Sequence, residues 1–219
     1  MRKRTTLFLV FLLSSFCLLI SQKSYSQVSD YDGNVYKTVI IGNQEWMSEN
    51  LRVEHYRNGD LIPRVEDIEE WKLLKTGSWC YYQNKPENGD KFGKLYSWYA
   101  VNDKRGLAPK GWHIPSDEEW SELIEYLGGE DIAGIKLKEI NSWKRYSGET
   151  NESGFSALPG GVGLNNGYIS QPGWDTFFWS TTECDNKKAW FRSMFTEWKD
   201  VSRNSTNKMF EMSIRCVRN

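Results

Sequence analysis

Residues 116–129 read SDEEWSELIEYLGG, an order that admits little besides a capped amphipathic helix. Ser116 followed three residues later by Glu119 is a capping box, in which the hydroxyl accepts from the Glu119 amide and the carboxylate returns to the Ser116 amide. Asp117, Glu118 and Glu119 fall in the first turn, where the positive end of the helix dipole favours them. Trp120, Leu123, Ile124 and Leu127 form the buried stripe, and Gly128 and Gly129 end the helix. The same three acids stand close to His113, one of two histidines in the chain, a grouping that invites an acid–base reading. Capping accounts for the acids, however, and His113, between Trp112 and Ile114, reads as a packed, hydrogen-bonded residue. His55 lies in a polar stretch, and neither histidine has a Ser or Cys nearby in a nucleophile context.

The N-terminus carries an export pattern. Arg2, Lys3 and Arg4 precede an apolar run over residues 7–20, with small residues at Ser24 and Ser26, so residues 1–26 are expected to be a signal peptide cleaved before Gln27. The run is shorter than the roughly twenty residues of a membrane span. The mature chain is expected outside the cytoplasm, with no transmembrane span. Lipidation at Cys17 is the less favoured alternative, because Ser14, Ser15 and Phe16 are poor context for a lipid-attachment cysteine. Cleavage removes Arg2, Lys3, Arg4 and Lys23 and no acid, so the 28 basic and 29 acidic residues become 24 and 29, a net charge near −5. That balance argues against nucleic acid as a partner. Residues 27–219 suffice for one domain and are few for two.

Asp32, Gly33 and Asn34 precede a β-rich run over residues 35–41, and Gly42 and Asn43 turn it into QEWM, an N-terminal hairpin. The Asp30, Asp32, Asn34 spacing resembles a calcium loop, but the glycine comes too early and the closing glutamate is missing. RVEDIEEWKLL predicts a short helix, GSWCYYQ a strand and KPENGDK a loop. Leu95, Trp98, Tyr99 and Asn102 in FGKLYSWYAVND predict a helix with an aromatic inner face. Residues 136–183 read mostly as loop and short strands, too long for mere connection. TFFWSTTE, AWFRSMF and EMSIRCVR predict an antiparallel sheet, with CDNKK and RNSTNK as turns. Eleven Trp, eleven Tyr and ten Phe either fill a core short of helices or line a binding surface. Cys80, Cys184 and Cys216 survive cleavage, an odd number whose pairing spacing leaves open. Cys216, inside SIRCV, is expected to be buried, and no Cys/His zinc spacing occurs.

Seven blocks, VYKTVIIGNQEWMSENL, FGKLYSWYAV, GWHIPSDEEWSELIEYLGG, GFSALPGGV, FWSTTE, AWFR and SIRCVRN, in this order, resemble the Fibrobacter succinogenes major paralogous domain. The resemblance covers residues 30–219. It implies kinship with the formylglycine-generating enzyme group and an α+β, C-type-lectin-like fold of two helices, small antiparallel sheets and a long loop region. Members often carry further cysteines where this chain has ENGDKFG and LAPKGWH. Cys80 thus lacks its family partner, and a compensating bridge to Cys184 is one consequence of the resemblance. The sugar-binding triplets of calcium-dependent lectins are absent; QPGWD comes near one, with two residues inserted.

These readings converge on a non-catalytic, exported recognition module whose binding face is the loop 164–175. Tyr168 and Trp174 would stack on a sugar or clamp a peptide, with Asn165, Asn166 and Asp175 supplying hydrogen bonds; the plainer role for Trp174 is to pin its own loop. The expected partner is a polysaccharide or a cell-surface protein. No cofactor or metal is expected, and calcium is compatible with the scaffold without any motif for it. A structural, adhesive role is the alternative. An oxidative enzyme of the formylglycine-generating type rests on fold alone and needs two adjacent reactive cysteines, for which Cys184 and Cys216 give no sign.

Overall fold

The computed structural model describes residues 26–163, 170 and 173–219. Asn165, Asn166 and Tyr168 lie outside the described residues. The N-terminal hairpin forms as its sequence predicts. Strand β1 (Gln27–Ser29) pairs antiparallel with β2 (Val35–Ile41), which turns at Gly42 and Asn43 into β3 (Gln44–Met47). Gly42 takes the positive φ, 61°, that such a turn demands. The acids before β2 form a plain turn. Asp30 accepts from the Asn34 amide and the Tyr36 hydroxyl, and Asp32 accepts from the Glu54 amide and faces His55 Nδ1 at 2.6 Å.

Downstream, RVEDIEEWKLL yields α1 (Ile68–Leu73), capped by Asp67, and GSWCYYQ yields β4 (Trp79–Tyr81). KPENGDK is not a loop: it forms most of α2 (Glu87–Phe92). Pro86 starts the turn, the buried Phe92 ring packs edge-on to Tyr82 at 5.5 Å, and Asn50 Nδ2 donates to the last carbonyl at 2.7 Å. The helix predicted in FGKLYSWYAVND shrinks to α3 (Trp98–Val101), because Lys94–Ser97 is strand β5, buried along its whole length. Tyr96 pairs with Trp79 on one side and, through β10 (Glu211–Met212), with Met212 on the other. Two-sided pairing overrides the helical spacing of its neighbours.

After β6 (Trp112–His113), the capping box of α4 (Asp117–Tyr126) has both of its bonds, at 2.8 and 3.1 Å. Gly128 and Gly129 close it at φ 103° and 94° and lead into α5 (Glu130–Leu137). The C-terminal sheet is β7 (Asp175–Glu183), β8 (Lys188–Phe195) and β9 (Ser202–Asn207), so the predicted turn RNSTNK is largely its edge strand. EMSIRCVR adds no strand to that sheet and meets it at one parallel bridge, Ser213 to Phe178. It splits between β10, beside β5, and β11 (Val217–Arg218), which sits between β3 and β6.

Among the described residues the architecture is mostly β: three antiparallel sheets ordered β1-β2-β3-β11-β6, β10-β5-β4 and β7-β8-β9, with five short helices. This corrects the expected α+β, C-type-lectin-like fold of two helices. Residues 35–41, 44–47, 94–97 and 202–207 bury or pair their backbones in strands, and α4, at 10 residues, is the longest helix described.

Most of the aromatic load is core. Trp46, Trp120, Phe155 and Phe178 pack ring against ring at 4.9 to 5.8 Å and join α4 to β3 and β7. Arg215 is fully buried beside them, its guanidinium 4.4 Å from the Phe155 ring. It donates to Asn50 Oδ1 and to the carbonyls of Met47, Phe155 and Ser156, and burial pushes its pKa down to about 9. One arginine thereby gathers three backbone segments. Asp117 does similar work outside the core, receiving the buried Arg192 and the half-exposed Arg203 and so tying α4 to β8 and β9. Burial works against ionising Asp117, but the two arginines hold its carboxyl below the usual range.

Candidate functional site

One group of aromatic residues outside the core lies where β7 begins and β8 ends. The turn after β8 reads FTEWKD, and its Trp198 is 54 % exposed. The Trp198 ring packs on Phe195 at 5.0 Å, and Phe195 meets Phe177 of β7 edge-on at 5.8 Å. An exposed indole thus continues a row of half-buried rings, an arrangement that keeps an apolar face in water.

Polar contacts hold this surface from beneath. Lys138, fully buried at the end of α5, donates to the carbonyls of Phe195 at 2.6 Å and Trp198 at 2.5 Å and to Ser147 Oγ at 3.0 Å. Ser147 in turn donates to the buried Glu149 at 2.9 Å. Burial draws the Lys138 amine down to about 8, opposed by Glu149 and Asp200. Thr196 fixes the neighbouring strap: its amide donates to the Trp174 carbonyl at 2.7 Å, and its hydroxyl accepts from the Arg145 amide at 2.8 Å.

Trp174 is half-buried, with the Arg145 guanidinium 5.3 Å from its ring, and Arg145 also pairs with Glu197. The indole therefore pins its own segment and still borders the exposed surface. Gly173 takes a φ of 87°, which a side chain would strain, and its carbonyl accepts from the Lys144 amide at 2.7 Å. Tyr146, next to Arg145 in the chain, is 77 % exposed.

Asp175 opens β7. Burial pushes its carboxyl up to about 6 despite a hydrogen bond with Ser170, and its Oδ1 is buried with no partner among the described residues. Of the five loop residues expected to bind, Trp174 and Asp175 are therefore adjacent to a built aromatic surface. Trp198, Tyr146 and Arg145 were not among the expected residues. Their signal was present: a tryptophan set between Glu197 and Lys199, and an Arg–Tyr pair in the polar WKRYSGE, are aromatics that a core cannot easily absorb.

The remaining expected sites resolve into structural roles. His113, half-exposed, bonds Glu119 Oε1 at 2.6 Å and Asn219 Oδ1 at 2.7 Å and so fastens the C-terminus to the cap of α4. Cys80, Cys184 and Cys216 are free thiols, Cys80 and Cys216 buried and Cys184 exposed in the β7–β8 turn, so the Cys80–Cys184 bridge is not formed. Burial pushes both buried thiols up, away from thiolate reactivity. Cys80 instead shares a hydrogen bond with Glu211, a fully buried carboxyl that also accepts from Ser78 Oγ at 3.0 Å. Among the described residues no group of three or more His, Cys, Asp or Glu side chains is placed to hold a metal ion.

Residues 39–218 match the Fibrobacter succinogenes major domain. The chain belongs to this family. The match takes in the end of β2, the capped helix α4, the aromatic surface and all of β11, so the candidate site lies within the Fibrobacter succinogenes major domain itself. No curated protein and no solved structure matches the chain. Among the described residues no helix is long and apolar enough to cross a membrane.

Proposed function

We propose that this member of the Fibrobacter succinogenes major domain family is an exported, non-catalytic recognition module that binds carbohydrate through the aromatic surface around Trp198. The observation that carries this reading is the exposed indole of Trp198, held in place by a buried amine and backed by Phe195 and Phe177. A ring fixed before binding loses little conformational freedom on contact, which favours stacking against the C–H face of a sugar. Arg145 and Glu197, the latter next to Trp198 in the chain, pair with each other and carry groups able to bond hydroxyls. Export is supported by the basic and apolar pattern of residues 1–26.

The test is a binding screen of the purified protein against polysaccharides, with and without calcium, alongside Trp198→Ala and Trp174→Ala variants of unchanged melting temperature. Retention of the wild type on at least one polysaccharide and its loss in Trp198→Ala supports the reading. Equal retention of both proteins rejects it.

A further inference from the structure

Among the described residues, the edge of β2 that faces away from β3 is only partly covered. Because Gly42 and Asn43 make a two-residue turn, Ile41 and Gln44 close the hairpin, and alternate residues of β2 direct their backbone groups to opposite sides. Lys37 accepts from Ser48 on the β3 side, whereas the Thr38 amide donates to Ser26 on the other side, both at 2.9 Å. The next outward-facing residue is Ile40. β1 pairs only with Val35, Tyr36 and Lys37, so among the described residues no strand lies beside Ile40 on that side. Its side chain is 75 % exposed. Strand edges are commonly guarded by lysine, proline or a bulge, and this one shows a bare isoleucine.

A groove of about 710 Å³ follows this edge, lined by Ile40, Ile41, Tyr126, Leu127 and Glu152 and by Arg218, which is tied to Glu45 at 2.7 Å. Tyr126, 66 % exposed at the end of α4, leans on the hairpin turn: its ring lies 3.0 Å from where a Cβ on Gly42 would stand. A second hollow adjoins it and shares Tyr126 and Ile41, with Glu122 and Glu125 in its lining. Main-chain donors and acceptors, two exposed apolar side chains and a rim of acids therefore coincide.

We propose that this edge takes up an extended, basic segment of a partner protein as an added strand. Ile40 supplies the backbone bonds, Tyr126 and Leu127 the apolar contact, and Glu122 and Glu125 the preference for positive charge, Glu152 being paired already with Lys136 at 3.0 Å. The inference goes beyond carbohydrate binding at Trp198 and does not depend on it.

The probe is a six-residue peptide of alternating Val and Lys, compared with its Val and Glu counterpart and with a backbone N-methylated Val and Lys version. Binding is read by fluorescence anisotropy and by hydrogen exchange at the Ile40 amide. The basic peptide is expected to bind at least tenfold more tightly than either control and to slow exchange at Ile40. Ile40→Lys, at an exposed position, and Ile40→Pro, which removes an amide not used by β3, are each expected to weaken binding at least tenfold while the melting temperature holds. Equal binding by the acidic or N-methylated peptide, or undiminished binding to Ile40→Lys, overturns the proposal. So does an Ile40 amide already protected in the peptide-free monomer, which would mean that the chain covers its own edge, or a dimer in sedimentation that Ile40→Lys dissolves, which would make a second copy the occupant.

Discussion

The ammonium of Lys138 donates to the backbone carbonyl of Trp198 at 2.5 Å, joining a fully buried charge at the end of α5 to the most exposed tryptophan of the candidate site. Burying an amine is unfavourable unless its donors are taken, and here two carbonyls and the Ser147 hydroxyl take them. The contact therefore carries shape information from the helix layer to the surface.

Lys138→Met keeps the bulk and removes the donors, leaving the Trp198 carbonyl unmatched and the Phe195 carbonyl with only the Trp198 amide, at 3.2 Å. Each unsatisfied buried group costs about 1–3 kcal/mol, so a loss on the order of 3 kcal/mol is expected in chemical denaturation. The turn should also loosen, seen as faster hydrogen exchange over residues 195–199. A variant as stable as the wild type with an unchanged turn would deny Lys138 this role.

Asp117 separates a buried from an exposed ion pair within one carboxylate. Its Arg192 partner has no side-chain exposure and its Arg203 partner 38 %. Arg203 additionally lies over the Trp190 ring at 3.5 Å. Asp117→Ala strands the buried guanidinium and should cost about 3–5 kcal/mol. Arg203→Ala breaks a screened pair and a surface cation–π contact and should cost about 1 kcal/mol. Urea melts of the two variants check the order, and equal losses would show that Arg192 does not depend on Asp117.

Glu211 should make stability fall as pH rises. Burial raises its carboxyl to about 8 against an ordinary 4.5, with the Cys80 and Ser78 hydrogen bonds opposing the shift. The folded state therefore prefers the protonated form. That contribution is whole below about pH 4.5 and is lost as pH rises through about 8, on the order of 3 kcal/mol between pH 5 and 8. Glu211→Gln cannot ionise, so its denaturation free energy should vary less over this window. A wild type and variant with parallel pH profiles would contradict this assignment.

How far these features were legible in the sequence depended on whether the governing contacts were local. The capping box of α4, the Gly42 and Asn43 hairpin and the strands at residues 175–183 and 188–195 are specified by neighbours a few positions apart, and all were readable. Strand β5 was not, because Lys94–Ser97 is held by pairing with β4 and with residues more than a hundred positions away in β10. Strand β9 escaped notice because SRNSTN has no apolar alternation; it is an edge strand held by its backbone bonds to β8. At the candidate site, Trp174 and Asp175 could be picked out as loop residues. The link from Lys138 to Trp198 spans sixty positions and has no local signature.

The lectin-like expectation failed for a related reason. Short sequence blocks such as GWHIPSDEEW encode a helix start and its approach, and these recur wherever such a start is needed. They do not specify how sheets are ordered around it. Here the C-terminal residue pair of β11 enters between β3 and β6, while the preceding pair of β10 joins β5, a division of one apolar run between two sheets that periodicity does not show.

The most direct measurement is affinity electrophoresis of the wild type, Trp198→Ala and Tyr126→Ala through gels containing the polysaccharide that retains the wild type most strongly. Trp198 lies at the aromatic surface and Tyr126 at the β2 edge, so the pair distinguishes the two faces. Loss of a fixed stacking ring should weaken retention about tenfold or more, since such contacts contribute about 1–2 kcal/mol. The account predicts that loss for Trp198→Ala and none for Tyr126→Ala, with both variants folded. Undiminished retention of Trp198→Ala, or no retention of the wild type by any polysaccharide, would contradict it.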